Sequence, residues 1–294
     1  MISIFGAAET GTLGAVEQAA SKTSAKSAIF RIGGFYAFIA GVHHDAIDRI
    51  SPTLEPDQPV LMHQTWRHLC FLHWEIPPAE LQALVPPGLT IDTFEGKAYV
   101  GLIPFTLSGV RPVMAPAVPG LSSFHEINVR TYVHRNGADP GVWFFSLDAS
   151  STLAVTAARA AYKLPYFLSQ IEFAASGGPL PEINFRSHRD DPHGTSPAHA
   201  HLRYAPTEGR VAPAAVGTLE HFLIERYILY AHDNDHVLHR ARVHHQPYPV
   251  QHAELRDIDE TLVWAAGIKR SGAAPIRHYA SEVNVKIYPP QRVP

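Results

Sequence analysis

The chain has 294 residues, of which 46% are hydrophobic and 17% charged, with a formal net charge of −3. That is material for one large domain, or one domain and an extension, and the absence of a basic tract excludes the electrostatic footprint of a nucleic-acid binder. A single cysteine, Cys70, excludes an intrachain disulfide framework and points to a reducing, cytoplasmic setting. The 25 prolines are spread along the chain, as in the strand ends and turns of a loop-rich β protein.

Residues 1–57 lack sustained periodicity and read as a poorly ordered extension ending in a linker, "SPTLEPDQP". Within them, "AIFRIGGFYAFIAGV" (28–42) is the nearest approach to a membrane span, but it is short and interrupted by Arg31, so no membrane association is expected. From residue 58 to 294 the pattern is that of a single domain. "WRHLCFLHWEI" (66–76) is a strand that stops at Pro77-Pro78, and "PAELQALVP" a short helix with Leu81, Leu84 and Val85 on one face. A strand follows at 97–110. "HEINVRTYVHRNG" (125–137) alternates: Ile127, Val129, Thr131 and Val133 share one face, and Glu126, Asn128, Arg130 and Tyr132 the other. Arg-Asn-Gly then turns into a strand at 141–149.

Ser150 or Ser151 can cap a helix that runs to about Lys163, where Pro165 forbids continuation. Strands are expected at 167–174, 182–188 and 199–205, and a helix from Thr218 as N-cap. Two strands within 225–245 flank an Asp-Asn-Asp turn. A short helix at 257–266 ends at Gly267, and an alternating strand at 281–289 turns Val283, Val285 and Ile287 inward. Few, short helices among hairpin-linked strands make the fold α+β and mainly antiparallel β, closed or half-closed into a barrel.

The segments "HQTWRHLCFLHWEIPPAELQALVPPGLTIDTFEGKAYVGLIPF", "FHEINVRTYV", "GVWFFSLDAS", "ARAAYKLPYF", "GTLEHFLIERY" and "YPPQRV" together resemble the bacterial YqjF-like family of uncharacterised proteins, over roughly residues 60–294. That family falls within the acetoacetate decarboxylase-like superfamily. The resemblance implies a barrel or cone with an internal cavity, and brings no established activity. Three features of the decarboxylases can be sought. Their arginine seven residues before a strand-ending aromatic is matched by Arg67 and Trp74. Their aromatic-x-Glu is matched by Phe124-His125-Glu126. Their nucleophile motif, Arg, five residues, Pro, Lys, Lys, is matched by Arg159 and Pro165 but continues with Tyr166 and Phe167.

The Schiff-base position therefore holds Tyr166, and Lys163 lies before the proline. A lysine nucleophile must be neutral at pH 7, which needs burial or a neighbouring cation. Phe167 supplies none, whereas Arg159 lies one helical turn before Lys163. A helix C-terminus also favours a cation, which gives Lys163 a purely structural role. Glu126 is the candidate acid or base, with Tyr166 and Lys163 as further candidates, while Arg67, Asn128 and Arg130 would hold a ligand carboxylate. The other alternative has the 126–132 polar face in water. The 19 histidines make close pairs such as His188 with His193 and His199 with His201, without zinc-site spacing, so neither metal nor cofactor is expected. Glu220 and Glu225 read as a wet helix face or partners of Arg226, and Cys70 as a core thiol.

The expected function is binding of a small carbonyl- or carboxylate-bearing organic molecule in an internal cavity, with lyase-type chemistry that lacks the usual lysine. The alternative is a non-catalytic small-molecule sensor or binding protein on the same fold. Whether the chain is an enzyme, and whether it forms a homo-oligomer, is left open.

Overall fold

The computed structural model describes residues 28–32, 35–39, 47–191, 196–233 and 235–293. Most of the expected N-terminal extension lies outside these residues, as do His193 and Asn234 of the histidine and turn motifs. The chain divides into two units, Met1–Ala46 and Ile47–Pro294. In the first, the described backbone pairs β1 (Ala28–Ile32) antiparallel with β2 (Phe35–Ile39).

In the second unit, β3 (Met62–Ile76) leads into α1 (Pro78–Gln82), β4 (Thr90–Ile91) and β5 (Ala98–Pro112). Next come β6 (Phe124–Arg135), β7 (Ala138–Ala149), α2 (Thr152–Tyr162) and β8 (Tyr166–Ala175). Then β9 (Ile183–Arg189), β10 (Ala198–Pro206), α3 (Leu219–Ile224), β11 (Ile228–His232) and β12 (Leu238–His245) follow. The chain ends with β13 (Val250–Glu260), α4 (Leu262–Ala265), β14 (Ile276–Ile287) and β15 (Gln291–Arg292). The class is a mainly antiparallel sheet with four short helices among the described residues, none long and apolar enough to cross a membrane.

Strands β3 to β15 form one 13-stranded sheet that pairs back on itself through β7–β6 and β12–β14. The pairings therefore trace a closed circuit through β12, β11, β7, β6, β5, β3 and β14. Apolar side chains fill both sides of its wall. One core gathers Leu72, Trp74, Ile127, Val129 and Val133 with residues of β9, β10, α1 and α4. The other gathers Phe71, Phe105, Phe124, Tyr132 and Leu147 with α2, α3 and β14. Because β3, β5 and β6 belong to both, β6 is buried on each of its faces, as its almost unbroken run of buried residues shows.

The helices follow their local signals. Ser151 caps α2, its hydroxyl accepting from the Ala154 amide at 3.2 Å, and Thr218 does the same for α3 through the His221 amide. Lys163 ends α2 in the left-handed conformation, φ 57°, just before the Leu164-Pro165 exit. The α2 crossover lets β8 return parallel to β7, with Tyr166 opposite Leu147.

The helix expected at 257–266 is mostly strand. β13 continues to Glu260, paired with Ala200 of β10, and only Leu262–Ala265 is helical. The alternation of Asp257, Ile258 and Asp259 has strand period, and the cross-strand pairing with β10 enforces it. Gly267, at φ +80°, ends the short turn.

Gly141 of β7 leaves no room for a side chain. A Cβ there would stand 2.6 Å from the Ile228 carbonyl oxygen, because β7 and β11 pair closely beside it. Gly141→Ala should lower the urea unfolding free energy by about 1–3 kcal/mol through this backbone clash. Unchanged stability would show that β11 can shift without loss.

Candidate functional site

β6 carries Glu126, Asn128, Arg130 and Tyr132 on one face, and all four are buried rather than presented to water. Glu126, 2% exposed, sits between Phe105 of β5 and Ala149 of β7. Its Oε2 accepts a hydrogen bond from the Tyr166 hydroxyl at 2.9 Å. Its Oε1 lies 3.5 Å from the Asn128 Nδ2, at the outer limit of such a bond. Residues 40 apart in sequence are joined because the α2 crossover sets Tyr166 at the first position of β8, alongside β7 and one strand from β6.

Burial pushes the Glu126 carboxyl up to about 7, aided by the nearby Asp148 charge, and the bonds from Tyr166 and Asn128 oppose this only in part. The Tyr166 hydroxyl is pushed well above its ordinary value by burial and then by the Glu126 charge, so it remains a proton-bearing donor. The pair thus offers a carboxyl that exchanges its proton near neutrality beside a neutral phenol donor.

Asp148 lies behind this pair in a buried, bidentate ion pair. Arg189 donates to its Oδ2 at 2.6 Å, and Ser169 to its Oδ1 at 2.8 Å. The Arg189 guanidinium lies 4.3 Å from the centroid of the Phe167 ring. Phe167 is therefore an aromatic platform for a buried arginine.

Further along β6, Arg130 donates to the Leu223 carbonyl at 3.3 Å and packs 5.7 Å from the ring centres of Phe71 and Tyr132. Tyr132 donates to the same carbonyl at 2.6 Å and is bonded to the His73 Nε2, also at 2.6 Å. Asn128 Oδ1 and Arg130 Nε are buried without a protein partner.

Two sequence candidates are not brought to this group. Arg67 pairs with Glu282 at 2.8 Å, with both side chains nearly half exposed on the outer face. Strand parity with Leu69 and Phe71 would turn it toward Glu126, but β3 bulges between Arg67 and Leu72 with His68 at φ 54°, and the bulge reverses the faces. Lys163 is exposed at the end of α2, where its Nζ donates to the Ala160 carbonyl at 2.8 Å. It has the structural role that a helix end gives a cation.

The sequence pattern did not single out Asp148, Arg189 or His73. Glu225, expected on a wet face, is instead buried, accepting from the Tyr227 hydroxyl at 2.5 Å and the Tyr248 amide at 2.9 Å. The end of α3 at Ile224 turns it inward, and burial raises its pKa. A polar residue inside the buried run "HFLIERY" was the available signal. Cys70 is a buried thiol, pushed strongly up by burial. Among the described residues, no three His, Cys, Asp or Glu side chains converge on a metal-holding geometry. Two clefts, of about 380 and 440 Å³, lie on the surface of this unit, and Glu126 and Tyr166 line neither of them.

Because burial raises the Glu126 carboxyl from 4.5 to about 7, its effect on stability has a definite sign. Below the unfolded value both states hold the proton and the site costs nothing. The cost grows as pH rises from 4.5 to about 7 and is complete above that, on the order of 3 kcal/mol. Glu126→Gln should therefore raise the unfolding midpoint at about pH 8 and leave it nearly unchanged at about pH 4. Equal shifts at both would contradict a raised carboxyl.

The family model for the uncharacterized conserved proteins designated DUF2071 matches residues 63–284. The uncharacterized protein YqjF of Bacillus subtilis (strain 168) is 35% identical over 234 residues, covering 80% of this chain and 93% of YqjF. Among solved structures, an acetoacetate decarboxylase-like enzyme from Sphingomonas wittichii RW1 superposes with TM-score 0.56 at 14% identity, over 80% of this chain and 94% of its own. The enduracididine biosynthesis enzyme MppR, solved in complex with pyruvate, gives TM-score 0.51 at 12% identity, over 82% and 92%. At such identities the likeness concerns the fold. The chain belongs to the DUF2071 family of uncharacterized conserved proteins, YqjF among them, and shares the fold of acetoacetate decarboxylase-like proteins.

Proposed function

We propose that this protein binds a small carbonyl- or carboxylate-bearing molecule at the Glu126 group and moves a proton there, as a lyase-type enzyme without a Schiff-base lysine. One observation carries the reading: a buried carboxyl raised to about 7 and held by the hydroxyl of Tyr166. A general acid or base works best with a pKa near the operating pH. The likeness to MppR, solved with pyruvate, supports the ligand class.

In this reading the substrate carboxylate meets Arg130, and Asn128 bonds its neighbouring polar group through the free Oδ1. When the bond between the carboxylate carbon and the carbon next to the carbonyl breaks, the carboxylate leaves as CO₂ and the electron pair moves through that carbon toward the carbonyl oxygen, which the Tyr166 hydroxyl stabilises by donating a hydrogen bond. Protonated Glu126 then gives its proton to the carbon. Tyr166 is only partly covered, and this reading assigns the ligand's approach to Glu126 to that side. The substrate assigned to this site is an organic acid in the cytoplasm.

The test follows a panel of small 2-oxo and 3-oxo acids by NMR in D₂O, watching for loss of CO₂ or deuterium uptake beside the carbonyl. Turnover should fall as pH rises through about 7, the Glu126 value, because the step needs the protonated carboxyl. Glu126→Gln should lower it by about 100-fold or more. Tyr166→Phe should lower it by about 10- to 100-fold, the loss of one hydrogen bond to a charged group. Lys163→Ala should leave it unchanged, and borohydride should trap no lysine adduct. An adduct on Lys163 sinks the proposal, and saturable binding without any turnover assigns the chain to the non-catalytic alternative.

A further inference from the structure

The outward faces of β5, β3, β14 and β12 carry a feature unrelated to the Glu126 group. Arg111 pairs with His63, His63 with Lys286, and Lys286 with His244. These four residues form one straight row across four adjacent strands, with neighbours roughly 4.8 Å apart by strand spacing. Their neighbours along β12 and β14, Val243, His245, Val285 and Ile287, are buried in the core, so the row points away from it. Cationic and cation-forming side chains directly opposite one another are unfavourable in a sheet. Nothing in the packing of the fold requires them there.

The row lies in a cleft of about 440 Å³, whose floor also includes Thr65, Gly109 and Asn284. A carboxylate already occupies one end of it. Glu55 Oε1 lies 2.6 Å from the Lys286 Nζ, and Oε2 lies 3.8 Å from the His244 Nε2. Lys286 holds the Glu55 carboxyl below its ordinary value. Arg242 fixes the segment carrying Glu55 by donating to the carbonyls of Pro52 and Leu54 at 2.7 and 2.9 Å. Glu55 therefore shows that an oxyanion fits the row, and it covers only half. Among the described residues no acidic side chain pairs with Arg111 or His63, and the His244 Nδ1 is buried without a partner.

We infer that this cleft is a binding site for a small phosphate-bearing molecule, with the phosphate on Arg111 and His63 and further negative charge toward Lys286. A monocarboxylate is satisfied by one bidentate arginine, whereas the open half of the row spans two strands and needs an anion with oxygens directed to several donors. Glu55 is an internal competitor for the Lys286 end. The site is independent of the Glu126 chemistry, and its test does not depend on that reading.

The test is calorimetric titration of the full chain at low ionic strength with inorganic phosphate, diphosphate and citrate. Saturable diphosphate binding, tighter than phosphate and tighter than citrate, is expected. Arg111→Gln should weaken diphosphate by about tenfold or more, the loss of a charge-assisted contact. Glu55→Gln should tighten it several-fold, a gain that misfolding cannot imitate. Arg277→Gln, in the other surface cleft, should change nothing. Absence of saturation at millimolar diphosphate in the wild-type chain overturns the site, as does an unchanged affinity in Arg111→Gln. Tighter binding of citrate than of diphosphate overturns its assignment to phosphate.

Discussion

The burial of β6 on both faces is the constraint on which the rest of the site depends. The circuit of strands that closes through β7–β6 and β12–β14 places one apolar core on each side of the wall. A carboxylic acid on such a strand is withdrawn from bulk water, so its ionisation is set by what the protein puts beside it. Glu126 has one hydrogen bond from a phenol, a marginal one from an amide and the negative field of Asp148. That is too little to hold an ion, and enough to keep a proton exchangeable near neutrality.

The same wall keeps a charged interior in which, among the described residues, no lysine is buried. Tyr166 and Phe167 divide the work at this point of the wall. Tyr166 faces Glu126, while Phe167 supports Arg189 against Asp148. The buried cation is thus spent on a neighbouring carboxylate and does not depress a lysine nucleophile. Buried ion pairs of this kind are costly to break one partner at a time. The arrangement is therefore a fixed part of the scaffold on which Tyr166 is carried.

Much of this was legible in the sequence where local signals decide. The caps at Ser151 and Thr218, the alternation of 125–137 and the stop at Pro165 each act over a few residues, and the structure follows them. The alternation of β6 defined two faces but could not say that both are buried, because that depends on strands far away in the chain. Arg67 was misplaced for a related reason: its face is reversed by one bulged residue, His68, whose φ of 54° has no signature in the text. Glu225 and β13 failed where tertiary burial and cross-strand pairing overrode helical spacing. The row from Arg111 to His244 is invisible in sequence, since its members come from four strands and meet only through register.

The central claim is that Glu126 carries a proton near neutral pH inside the folded chain. It is tested most directly by difference infrared spectroscopy of the wild-type protein against Glu126→Gln, following the protonated carboxyl band across a pH series. The account predicts a band that disappears with a midpoint near 7. A midpoint near the ordinary value of 4.5 would show an ionised, solvated carboxylate and would remove the basis for proton transfer at this site.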